Sequence, residues 1–282
     1  MWLLWNYLGH LMRRIKNRSF LVILFCLVTF LHGVKPSAAE NAGYIAIIID
    51  DLGSSAIRAE QLIKMPAQLT YSFLPHTPYA EKYAFKAHEL GKEVMLHLPM
   101  KPEGNKDMGP GGLSEGMSHA QFITTVREAI HAIPFAVGVN NHMGSLLTRS
   151  VKDMHWLMQE LKARTNLYFV DSRTHGATVA AQMADRNHLQ NASRDIFLDH
   201  VIEKEAIDVQ FQRLLNRVSY AGHALAIGHP HTLTIEALTH WINIIEERGI
   251  KIVPVSEYIQ LIEGERRIWQ ASLSLSRKAA KN

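Results

Sequence analysis

Apolar residues along this chain fall into two rhythms. Some form short unbroken runs, and others recur at helical intervals. The clearest run is Tyr44-Ile-Ala-Ile-Ile-Ile-Asp-Asp-Leu-Gly53. Five apolar residues stand in a row, Ile45 to Ile49, and four of them are isoleucine. A strand with one wet face would alternate, so this run predicts a strand buried on both faces. It stops at two adjacent acids, Asp50 and Asp51, and a helical pattern follows over 54–64. Further strands are predicted at 69–74, 93–97, 135–140, 167–171, 195–199, 222–228 and 250–255. Helices are predicted between them at 78–90, 118–133, 148–164, 177–186, 207–220 and 232–248, with a last one beyond. Pro66, Pro75 and Pro99 are read as element ends, and Gly91 as a helix stop.

Strand and helix alternate almost throughout, the pattern of an α/β chain with a parallel sheet and covering helices. About seven or eight parallel strands fit a closed or nearly closed (β/α) barrel better than an open sheet. No Gly-rich phosphate loop follows the first strand, which argues against a dinucleotide fold. One connection is long. Residues 101–117 carry five glycines and two prolines, and a loop of that length in a compact domain is usually functional or mobile.

The two ends change the accounting of charge. Arg13, Arg14, Lys16 and Arg18 precede an apolar stretch at 20–31, and Ser37-Ala38-Ala39 follows. This is the order of a signal peptide, with cleavage predicted after Ala39 and an uncleaved anchor as the alternative. The stretch is too short for an easy membrane span. Cys26, within it, is the one cysteine of the chain. The mature protein is therefore expected in the periplasm, with no thiolate metal site and no Cys nucleophile. The whole chain has a net charge of +4. Without the five basic residues before the cleavage point, 25 basic face 26 acidic residues, about −1. The basic balance is then largely a targeting signal and gives no argument for nucleic-acid binding. Residues 40–265 suit one α/β domain, and 266–282 read as a basic polar tail, a frayed helix or disordered.

The candidate chemistry lies where the predicted strands end. The first ends in Asp50-Asp51, the third in His97, and the fourth in Asn140-Asn141-His142. The fifth ends in Asp171-Ser172-Arg173, the sixth in Asp199-His200, and the seventh in His229-Pro230-His231. In a parallel barrel these ends share one rim, where ligands bind. One such histidine alone is more often structural than a ligand. So many from separate strands are hard to explain by packing. Carboxylate and neutral imidazole together suit zinc or another divalent first-row ion. Asp51, His97 and His142 supply one carboxylate and two imidazoles from three strands. That leaves Asp50 as a base toward water and His229 as an acid toward a leaving group.

These residues resemble a known family. Ile47-Ile-Ile-Asp-Asp-Leu-Gly53 is similar to the first motif of the polysaccharide deacetylases, the NodB-type carbohydrate esterases. Thr70-Tyr-Ser-Phe-Leu74 resembles their second strand, and Gly249-Ile-Lys-Ile-Val-Pro-Val-Ser-Glu257 their closing strand and helix. His97-Leu-Pro-Met100, Asn141-His-Met-Gly-Ser145, Val170-Asp-Ser172 and Gly228-His-Pro-His231 resemble more narrowly the divergent polysaccharide deacetylase, or YibQ-like, branch. The likeness spans about residues 43–262. It implies a distorted (β/α) barrel and metal-dependent removal of N-acetyl groups from an amino-sugar polysaccharide. A glycan would be the partner, with no nucleic acid and no membrane span once the signal is cleaved.

The departures are informative. The family places two histidines four residues apart after the third strand, and here Lys101 stands at that spacing from His97. His142 is read as the substitute. The family's Arg-Pro-Tyr loop is replaced by Asn141-His-Met-Gly-Ser145, so no oxyanion donor is assigned. Asp50 as base and Asp51 as ligand carry over directly. His229 carries over with His231 in competition. Asn141, Ser145, Asp171, Ser172 and Arg173 are read as supporting or substrate-binding residues, Asp171 and Arg173 as an orienting ion pair. The long loop is expected to lie over the rim and shape the glycan cleft. The rival reading is an inactive relative that binds glycan or an envelope protein.

Overall fold

The computed structural model describes residues 43–164 and 167–279. The leader read at 1–39 lies outside the described residues. Strand β1 (Tyr44–Leu52) is followed by α1 (Ala56–Ile63), β2 (Thr70–Phe73), α2 (Ala80–Glu89) and β3 (Glu93–Met100). Then come α3 (His119–Ala132), β4 (Ala136–Met143), a 3-10 turn (Leu147–Arg149) and α4 (Val151–Lys162). They lead to β5 (Tyr168–Asp171), α5 (Ala180–Arg186), β6 (Asn191–Ser193) and β7 (Ile196–Phe197). The chain ends with α6 (Lys204–Ala221), β8 (His223–Gly228), α7 (Thr232–Glu247), β9 (Lys251–Ile252) and α8 (Val255–Ala279).

All ladders are parallel, and the strand order is β6-β5-β4-β3-β2-β1-β8-β7. The short β9 pairs with the start of β1, below the point where β2 begins. Among the described residues no ladder joins β6 to β7, so the sheet curls into a barrel with one open seam. The helices cover its outside. Local signals set their ends. Ser118 and Gln121 form a capping box at α3, and Ser150 caps α4. Gly222 ends α6 in the left-handed region at φ 78°.

Period-two geometry explains both cores. Ile45, Ile47 and Ile49 of β1 face the outer helices, within the larger cluster that also holds Leu62, Phe122 and Phe211. Ala46 and Ile48 point into the barrel, with Met95, Tyr168, Val170, Leu225 and Ile227. The inner row of β1, of β3 and of β8 is apolar midway along the strand. Continued by two residues it becomes polar at the top, reaching Asp50, His97 and His229 in turn. Space inside is tight: a Cβ on Gly138 of β4 would lie 2.3 Å from the Tyr168 ring.

The element order follows the predicted one, with four differences. β3 runs through Pro99 to Met100 where a stop at the proline was expected. β2 pairs with β3 only as far as Leu96, so the missing Pro99 amide faces no ladder on that side. β4 continues three residues beyond 140, carried by its pairing with that extended β3. The predicted strand at 195–199 shrinks to Ile196–Phe197, and the unforeseen β6 precedes it. Asn191-Ala-Ser193 carries no apolar run, so composition gave β6 no signal. Helix α8 runs on to Ala279, through the segment read as a frayed helix or a disordered tail.

Candidate metal centre

β1 delivers two consecutive carboxylates to one place, which a regular strand cannot do. Its register shifts between Ile49 and Leu52, and Asp51 sits at the shift with φ 57°. A bulge of this kind re-aims a side chain, and left-handed backbone at a non-glycine residue is a strain that marks functional sites. Asp50 stays on the inner face, buried. Asp51 turns in beside it.

Three donor atoms meet there. Asp51 Oδ1 lies 2.9 Å from His142 Nδ1 and 3.2 Å from His97 Nε2, and the two ring nitrogens are 3.1 Å apart. Asp51 Oδ1 is buried and takes no well-directed hydrogen bond from the described residues. Asn140 fixes the tautomer of His97. Its Oδ1 accepts from Ser72 Oγ (2.8 Å) and from His97 Nδ1–H (2.7 Å), while its Nδ2 donates to Asp50 Oδ1 (2.8 Å). His97 therefore turns a bare Nε2 lone pair toward Asp51 and His142.

Atoms this close need a proton on His142 Nδ1 or a cation among them. Burial alone would raise the Asp51 carboxyl, yet the His142 and His97 rings pull it well below the usual carboxylate range. Burial works against a charged His97, and the Asp50 and Asp51 carboxylates overcome it and raise the imidazole. The cluster attracts cations. Ligand bonds of about 2.0–2.2 Å put donor atoms of a tetrahedral site roughly 3.3–3.6 Å apart, only slightly wider than the spacing found. One carboxylate and two imidazoles, with an orphaned oxygen, fit a divalent ion of the zinc type.

A second constellation faces the first. His229 Nδ1–H donates to Asp199 Oδ1 at 2.9 Å, and its Nε2 points toward Asp51 Oδ2 at 3.9 Å. Asp199 Oδ2 accepts from the His229 amide and from Thr234 Oγ1, both at 2.7 Å. Burial would lower His229, but the Asp199 carboxylate pushes it up to about 9. Asp199, His229 and His231 also cluster closely enough for a metal. The hydrogen bonds already made by both Asp199 oxygens argue instead for an oriented imidazole.

The other predicted residues serve the frame. Asn141 accepts from the Ser172 amide (2.9 Å) and donates to the Met143 carbonyl (2.7 Å), bracing β4 against the turn after β5. Ser145 Oγ accepts from the Glu103 amide at 2.8 Å and holds the long loop. Ser172 Oγ is buried with no partner among the described residues. Asp171 corrects an expectation. Its oxygens accept from the Arg173 amide, Thr178 Oγ1 and the Ala181 amide, and Arg173 itself is exposed. It organises the approach to α5 and forms no ion pair with Arg173 among the described residues. The orienting acid is Asp199, a strand end that had been given no role. Asn140 and Ser72 were likewise given none, although both lie on the inner face at period two.

Residues 101–117 span the rim between neighbouring connections. Leu113 is buried and its amide donates to the Pro99 carbonyl at 2.9 Å. Gly111 packs on the His76 ring, which leaves no room for a Cβ. A cavity of about 270 Å³ opens beside Asp51 and His229, with Arg58, Leu74 and His231 among its walls. Among the described residues no helix is long and apolar enough to cross a membrane.

Known proteins share this frame. A solved structure of an uncharacterised protein from Agrobacterium tumefaciens C58 superposes with a TM-score of 0.74 at 22% identity, over 79% of this chain and 92% of that one. The uncharacterised protein YibQ of Escherichia coli K12 is 39% identical over 202 residues, 72% of this chain. The match spans 63% of the length of that relative. An uncharacterised protein of Haemophilus influenzae Rd is 34% identical over 243 residues, 86% of this chain and 82% of the relative. The sequence model of one family matches residues 47–259, from the strand that ends in Asp50-Asp51 to the helix that closes the barrel. By that match the chain belongs to the divergent polysaccharide deacetylase family.

Proposed function

We propose that this protein is an exported, metal-dependent hydrolase that removes N-acetyl groups from an amino-sugar polysaccharide. The observation that carries the reading is the meeting of Asp51, His97 and His142 within 3.2 Å, flanked by Asp50 and by the Asp199–His229 pair. Family membership supports the substrate class. Asp51, His97 and His142 would hold the metal, which when bound supplies Lewis acidity toward water and the acetyl carbonyl. The remaining roles belong to the chain itself. Asn140 holds Asp50 by one oxygen, and the other takes no hydrogen bond from the described residues. Asp50 accepts the proton that water loses as it attacks the acetamide carbon. His229, held charged by Asp199, gives a proton to the sugar nitrogen as the C–N bond breaks. Acetate and a free amine are the products.

The test is release of acetate from N-acetylated oligosaccharides by the purified mature protein. Activity should vanish with a chelator and return with zinc. Undiminished activity in the metal-stripped protein would remove the metal from the mechanism. A fully loaded protein that releases no acetate would move the reading to a glycan-binding relative.

We also propose a periplasmic location, with the mature chain starting at Glu40. The basic 13–18 segment, the apolar 20–31 stretch and Ser37-Ala38-Ala39 support it. Mass spectrometry of the protein from the periplasmic fraction should give an N-terminus at Glu40. An intact Met1 in the membrane fraction would favour the anchor.

A further inference from the structure

We propose that the cleft beside Asp51 and His229 is a subsite for a carboxylate carried by the glycan, read by Arg58 and assisted by His231. This rests on the deacetylase reading and narrows its substrate to an acidic amino-sugar polymer. The cleft holds about 270 Å³. Asp51 and His229 of the reacting centre form part of its wall, and Arg58 and His231 line it too. A sugar whose acetamide lies at the centre therefore reaches the cleft with its own substituent or its neighbour's.

Arg58 stands where local physics disfavours it. It is the third residue of α1, whose first turn contains no acid. Unpaired amides make that end of a helix positive, so it favours anions and disfavours a cation. Ser55 caps the turn by accepting from the Arg58 amide, and this does nothing for the guanidinium. Nearby carboxylates are directed elsewhere: Glu60 pairs with Lys64 and Lys86, and Asp51 turns its Oδ1 to the ring nitrogens of His97 and His142. Among the described residues Arg58 makes no ion pair. An anion entering the cleft would meet the guanidinium and the helix end together. His231 occupies the N-cap position of α7, yet its side chain makes no capping bond. Its imidazole is left to face the cleft.

The charge fits one negative group. A guanidinium takes a carboxylate by two parallel hydrogen bonds. A doubly charged phosphate would be less well matched, because Asp51 shares the cleft. A sugar bearing a carboxylic acid, as in a lactyl ether or a uronic acid, has the required chemistry.

The test uses the metal-loaded mature protein and two tetrasaccharides. One is uncharged, built of N-acetylglucosamine. The other carries a lactyl ether carboxylate on alternate sugars. Binding is measured by calorimetry and turnover by acetate release. The acidic glycan should bind roughly 10- to 100-fold tighter, the range of a charge-assisted hydrogen bond. Arg58→Gln should collapse that ratio toward one, and Arg58→Lys should keep part of it. Equal affinity for both glycans in the wild type, or a ratio untouched by Arg58→Gln, would overturn the subsite. The two readings fail separately. An Arg58-dependent preference without acetate release leaves the subsite standing and removes the hydrolase. Acetate release with no preference does the reverse.

Discussion

His97→Ala is expected to yield a folded protein that no longer retains a divalent ion through dialysis. Three ligands are the fewest that hold a catalytic zinc, and the two left behind would leave the ion largely hydrated. Affinity should fall by well over the 10- to 100-fold that follows loss of a supporting group. Asp51→Ala and His142→Ala should do the same. Asn140→Ala is the graded case. It deletes the acceptor that fixes the His97 tautomer and the donor that holds Asp50. The ion should still bind, about 10- to 100-fold more weakly. Metal content by mass spectrometry, with competitive chelator titration for affinities, reads all four. Wild-type affinity in His97→Ala would refute the ligand set.

Asp50→Asn and His229→Ala should keep the ion and lose turnover. A positioned acid or base contributes roughly 10² to 10⁴ in rate, so each variant should fall by that factor at equal metal occupancy. Asparagine still offers Asn140 an acceptor at the same place, so Asp50→Asn removes basicity with little change in shape. Asp199→Asn separates orientation from acidity. Without its charge, His229 loses the partner that raises it. Activity should fall, and the alkaline limb of the pH profile should move to lower pH. The direction follows from linkage: a raised imidazole stays protonated up to its elevated value, and removing the cause lowers that value. Acetate release across pH at saturating zinc measures all three. Retained turnover in both Asp50→Asn and His229→Ala would dismiss the proton-transfer assignment.

The candidate site was legible from sequence to a considerable depth. An apolar run buried on both faces announces a strand inside a parallel barrel. The polar residues that end such runs must then share a rim. Asp51, His97 and His142 could be nominated from that argument alone. The same reasoning placed the Asp171–Arg173 pair wrongly, because both residues end a strand and carry opposite charges. Position at a strand end does not say which neighbours a side chain meets.

Sequence by itself determined the alternation of elements, the apolar run of the first strand and the polar residues at the strand ends. These follow from periodicities of two and 3.6 residues, which are local and need no knowledge of distant contacts. Tertiary structure decided what the rim can do. The shift at Asp51, with φ 57°, turns two successive carboxylates to one side against the rule of the strand. Register between β3 and β4 sets His97 beside Asn140, and the curl of the sheet brings Asn140 to Asp50, 90 residues away in the chain. Closure toward β7 and β8 gives His229 its partner Asp199. Each of these contacts joins residues far apart in sequence. No local pattern encodes them, because the free energy that fixes them comes from packing the whole barrel.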